Sequence, residues 1–212
     1  MKATFKKENI FWHEIGHYCA QQLNKKYYEK FGCQGIEIIG VGQNGLTRYK
    51  GGATPNKPPG YDPTSKKINH PASTLGSLVY GCIFQSCYLN EPFSYCFEKE
   101  EHEANGFNDY NGFWGIAERF FLSPLEKDKL DALVLDQIAI VKASITQSGI
   151  FSIDITTLIS KEEERTWIPA EELDKKFTDF LVQHGPLYKT FVDKIDKLFE
   201  GKRQYEYKGA GN

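Results

Sequence analysis

The 212 residues carry 26 Lys and Arg against 28 Asp and Glu, a formal net charge of -2, and 40% of them are hydrophobic. Lysines are interspersed with glutamates rather than gathered into a patch, which excludes a nucleic-acid footprint, and no apolar run approaches the length of a membrane span. The length suffices for one core of ordinary size, and residues 1–7 have lysines but no apolar stretch behind them, so a soluble, unexported protein is expected.

In chain order, Asn9 is a candidate N-cap for a buried helix over residues 10–28, rich in Phe11, Trp12, Ile15, Cys19 and Leu23, with Gly32 or Gly35 to end it. Residues 35–41 and 46–49 are β-branched runs around Asn44-Gly45, a hairpin signal. The second strand either continues through Gly51-Gly52 to Thr54 or turns at that pair. Five prolines between 55 and 71 predict an exposed loop. A helix is expected over 72–89, where Gly76 and Gly81 suit close helix packing, another from about Asn108, and a fourth over 124–147 with Leu125, Leu130, Leu133, Val134, Ile138, Val141 and Ile145 at helical spacing. Residues 150–159 are ambiguous. Pro169 and Pro186 sit at first-turn positions and predict two helices, through Phe180 and through Phe199. The fold class expected is α+β, mainly helical. Its divisions are a core over residues 1–150, a C-terminal helical extension of the same domain over 151–200, and a disordered tail over 201–212.

The first helix contains His13-Glu14-Ile15-Gly16-His17. Residues four apart share a helix face, so two imidazoles can meet one ion, and Glu14 beside them can reach a water without being a ligand. Neutral histidines on a buried helix need polar partners, and a zinc ion supplies them. Gly16 costs helix propensity and lets another backbone approach. A catalytic zinc needs a third protein ligand and one open position. His70, Glu98, Glu100, Glu101, His102, Glu103, Asp109 and His184 are candidates that spacing does not separate.

These residues, with the hairpin over 36–54, the glycine-containing helix around 75–84 and Asn108-Asp109 opening a helix, resemble the peptidase domain of FtsH-type AAA zinc metalloproteases across residues 9–150. The resemblance implies a zincin-like helix packed on a small sheet or hairpin, followed by a C-terminal helical bundle. It also implies Asp109 as third ligand, with His102 and Glu101 the runners-up known from other His-Glu-x-x-His families. The strand around 49–54 would be the edge along which an extended peptide lies. No Walker A loop or ATPase module accompanies it, and the 72–89 helix lacks the family's Gly-x-x-Ala-Glu-Glu pattern, so a stand-alone activity is implied. The expected function is a metallopeptidase with cofactor Zn²⁺, metal ligands His13, His17 and Asp109, and catalytic Glu14, acting on peptides or unfolded protein segments.

The alternative is a non-catalytic metal-binding interaction module of the same fold. Cys82, Cys87, Cys96 and His102 have no Cys-x-x-Cys spacing and read as buried thiols rather than a structural zinc site. Five cysteines at irregular spacing argue against a disulfide framework and for a reducing, cytoplasmic location. The charge run over 161–165 reads as a solvated face, and oligomerisation is left open.

Overall fold

α1 (Lys7–Tyr28) is apolar on most of its circumference, and Phe11, Trp12, Ile15, Tyr18, Cys19, Ala20 and Leu23 are all at most 1% exposed. Such a helix must be covered on several sides. A computed structural model, which describes residues 7–43, 46–57, 68–99, 106–120, 122–159 and 164–203, shows what covers it. Asn9 lies inside α1 and is buried, so it is not the N-cap expected for it. The chain leaves α1 through Glu29 at φ 53, ahead of Gly32, while Gly35 is already in a strand.

α2 (Pro71–Leu89) runs antiparallel against α1. The two backbones nearly touch where Gly16 meets Tyr80 and Gly81: a methyl group on Gly16 would strike the Tyr80 carbonyl oxygen and lie 2.8 Å from Gly81 Cα. The close approach anticipated for Gly16 is therefore a helix–helix crossing. α2 is started by His70, whose Nδ1 accepts from the Ser73 N–H at 3.1 Å, with Pro71 in the first turn.

A three-stranded antiparallel sheet lies on the other side of α1. Central β1 (Cys33–Gln43) pairs with β2 (Leu46–Pro55) from Gln43↔Leu46 to Cys33↔Pro55, and with β3 (Arg165–Pro169) from Ile39↔Arg165 to Gly35↔Pro169. Ile36, Ile38 and Ile168 point to the core at 0, 0 and 2% exposure, while Trp167 is 45% exposed on the other face and Arg165 pairs with Glu37 at 2.6 Å. Gly51 and Gly52 are paired with Ile38 and Glu37, so the strand continues through them. β3 was not expected as a strand: it begins at Arg165, the last residue of the charge run, and only its pairing with β1 makes it one.

α3 (Phe93–Cys96) and α4 (Phe107–Arg119) follow α2, and α5 (Pro124–Gln147) opens on a Ser123–Glu126 capping box. Leu130, Val134, Ile138, Val141 and Ile145 of α5 are buried, but Leu125 is 63% exposed. Residues 150–159 settle as a 3₁₀ turn over Ile150–Ser152 and further turns. α6 (Ala170–Asp196) is one helix where two were expected, with Pro186 inside it. The lost hydrogen bond would have gone to the carbonyl of Val182, a residue 60% exposed, and buried Phe177, Phe180, Tyr188, Phe191 and Ile195 on both sides of Pro186 hold the helix together. One hydrophobic cluster runs from Phe11 to Phe199, with α6 packed on α1, α2 and α5. The architecture is thus α+β and mainly helical, and no described helix is long and apolar enough to cross a membrane. The turn residues 44–45, most of the proline-rich loop (58–67) and the tail from 204 lie outside the described residues.

Candidate metal centre

His13 and His17 rise from one face of α1 with ring centroids 4.7 Å apart and their Nε2 atoms 3.0 Å apart. Asp109, in the first turn of α4, brings Oδ2 to 3.0 Å from His13 Nε2 and 3.3 Å from His17 Nε2. One atom from each of the three residues therefore falls within a cluster 4.8 Å across, the one group of this kind among the described residues. His17 Nδ1 lies 2.8 Å from the Ser77 carbonyl. A carbonyl only accepts, so Nδ1 carries a proton and Nε2 is the nitrogen directed at the cluster.

Three such lone pairs repel one another unless a proton or a cation lies among them. A proton is the smallest that serves. Burial pushes the His17 imidazole down, but the adjacent Asp109 carboxylate more than reverses this and holds it at about 9. Burial likewise pushes Asp109 up, yet the two imidazoles keep it well below the usual carboxylate range. The side chains of His13, His17 and Asp109 are 13, 12 and 14% exposed, enough to be reached from solvent. Two imidazole nitrogens and one carboxylate oxygen are donors that suit zinc, and this set leaves a coordination position open.

Glycines make room for His17, Asp109 and Glu14. A Cβ at Gly81 of α2 would fall on the His17 ring, and one at Gly106 would lie 2.7 Å from Asp109 Oδ2 as well as on Cys82 Sγ. A Cβ at Gly51 of β2 would lie 2.5 Å from Glu14 Cγ and 2.6 Å from its Oε1. Glu14 is 4% exposed, and its Oε2 has no hydrogen-bond partner among the described residues. Burial raises its pKa, against the opposing pull of His17 and His13 and a hydrogen bond from the Ala53 backbone.

Ala53 also accepts from Gln21 Nε2 at 3.2 Å, so both its backbone groups point off the outer edge of β2 toward α1. Backbone groups alternate sides along an antiparallel strand, so Gly51 and Tyr49 direct theirs the same way. The sheet edge beside Glu14 is thereby defined.

The other third-ligand candidates are placed elsewhere or lie outside the described residues. His70 caps α2 and lies 3.8 Å from Asp196. His184 is buried between the hydroxyls of Tyr80 and Ser144, and Glu98 is not part of the cluster. Glu100, Glu101, His102 and Glu103 fall within residues 100–105, outside the described residues. The five thiols are free, and no described cysteine joins a metal-ligand group. Ser77, Gly106 and the Ala53 backbone had no sequence signal, because their roles depend on which helix and strand come to lie beside α1. No family model matches the chain, and no curated protein or solved structure matches it.

Proposed function

We propose that the protein is a zinc-dependent metallopeptidase that cleaves peptides or unstructured protein segments without an ATPase of its own. The observation that carries this reading is the meeting of His13 Nε2, His17 Nε2 and Asp109 Oδ2 beside a buried Glu14. His13, His17 and Asp109 hold the metal, and the zincin-like arrangement is α1 packed on the β1–β2 hairpin. A bound zinc supplies Lewis acidity and a water acidic near neutral pH.

Glu14 takes a proton from the attacking water and returns it to the departing amine. Its raised pKa suits a group that must do both. The outer edge of β2 lines up an extended substrate: Gly51 and Tyr49 pair with its backbone, and the missing side chain at Gly51 keeps the Glu14 carboxylate close to that edge. An extended edge recognises backbone more than sequence, which favours unfolded segments.

Elemental analysis of the wild-type, Glu14→Gln and Asp109→Ala proteins beside hydrolysis of an unfolded casein-type substrate tests the reading. The expected result is about one zinc per chain in the wild type, by the three-ligand stoichiometry. Glu14→Gln retains the metal without activity, and Asp109→Ala has weakened binding. A wild type that takes up no zinc on reconstitution leaves a non-catalytic module instead.

A further inference from the structure

We propose that Gln85 is a positioning residue for His13: with an ion bound, its side-chain oxygen accepts from His13 Nδ1–H a hydrogen bond that neither atom makes in this structure. The inference rests on the metal reading of the site. α2 already supports the other two ligands: the Ser77 carbonyl holds His17 Nδ1 at 2.8 Å, and the Cys82 thiol donates to Asp109 Oδ2 at 3.7 Å. His13 has no such support among the described residues. Its Nδ1 is buried and makes no hydrogen bond among the described residues, and the same holds for Gln85 Oε1 on a side chain of α2 that is 2% exposed.

The register of the helix pair brings the two residues to facing turns. Asn24 bonds to the Ser73 carbonyl, His17 lies on Ser77 and Gly81, and Trp12 packs on Tyr88. His13, between Trp12 and His17, falls against the turn of α2 that carries Phe84 and Gln85. Phe84 packs on Phe151 and Phe180, while Gln85, four residues beyond Gly81, shares the face of α2 that Gly81 turns to the His17 ring. A buried ring N–H and a buried amide oxygen each require a partner. A metal-ligating histidine characteristically donates its second N–H to an acceptor of this kind, which fixes the tautomer. The bond commits His13 Nδ1 to its proton, and Nε2 is then presented to the ion as it is in His17.

Zinc affinity by chelator competition and NMR of the ¹⁵N-histidine-labelled full chain, on the wild type, Gln85→Met and Gln85→Glu, test the assignment. In the zinc-loaded wild type, His13 is expected as the Nδ1–H tautomer, with a slowly exchanging ring proton that shows an NOE to the Gln85 side chain. Gln85→Met is expected to lose that protection and to bind zinc about 10- to 100-fold more weakly, whereas Gln85→Glu, which keeps an acceptor there, restores both. If Gln85→Met does not fold, the wild-type NOE and exchange rate decide alone. A fast-exchanging His13 proton with no such NOE, or equal zinc affinity in the wild type and Gln85→Met, overturns the role of Gln85 and leaves the zinc site standing. A wild type that binds no zinc overturns the metal reading and this inference with it.

Discussion

Among the described residues, histidines are enclosed in two places, and the two are built on opposite principles. His184 on α6 has both ring nitrogens met by hydroxyls, Tyr80 at 3.1 Å and Ser144 at 3.0 Å, and stacks on Phe180. Nothing there lacks a partner, and burial pushes its pKa down to about 4, so it stays neutral. The His13–His17–Asp109 cluster instead turns three metal-ligating atoms on one another and leaves His13 Nδ1 and Glu14 Oε2 unpartnered among the described residues. A histidine becomes a candidate site when its ring nitrogen meets other lone pairs that need a proton or a cation among them. When hydroxyls complete it, it is part of the core.

The sharpest way to test that contrast is Glu14→Gln, which keeps the shape of the cluster and removes its proton acceptor. Peptide hydrolysis is expected to fall by about 10²–10⁴-fold with zinc content unchanged. Gly51→Ala comes next. Its methyl group would lie 2.5 Å from Glu14 Cγ, and displacing that carboxylate by about 1 Å is expected to cost roughly 10²-fold in kcat/KM, again with zinc retained.

At His184 the expected readout is stability rather than activity. Its folded pKa of about 4 is below the unfolded value of about 6.5, so the unfolded chain takes up the proton first as pH falls. The associated stability is complete above about pH 6.5 and is lost progressively toward pH 4, by up to roughly 3 kcal/mol. Urea melts across that window, compared with a His184→Gln control whose slope should be shallower, check it. The smallest effect is expected from Gly52→Ala, one residue from Gly51 but with no atom within 4 Å of a Cβ there. Activity should be unchanged, and stability in a urea melt should shift by no more than about 1 kcal/mol. A loss of activity comparable to that of Gly51→Ala would break the argument that Gly51 matters because of Glu14.

Local pattern alone made α1, the hairpin, α2, α4 and α5 legible, because hydrophobic periodicity and turn chemistry act within a few residues of one another. The spacing of His13, Glu14 and His17 is of the same kind, since a helix face is a local property. Pro186 misled for the complementary reason: an isolated proline disfavours a helix interior, but aromatic packing on both sides of it decided for one continuous helix. β3 was invisible because five residues that begin at the end of a charge run carry no strand signal until β1 pairs with them.

The sequence by itself determined the helix that carries the two histidines and the glutamate, since their placement needs only 3.6 residues per turn. Only the tertiary structure decided which carboxylate joins them. Asp109 is 92 residues beyond His17, and its arrival depends on α4 packing against α2 at Gly106 and Cys82. It also decided that Gly81, Gly51 and Gly106 are the places where the site's side chains fit. A missing side chain has meaning only when something else occupies its space, and that is a property of packing between segments distant in the chain.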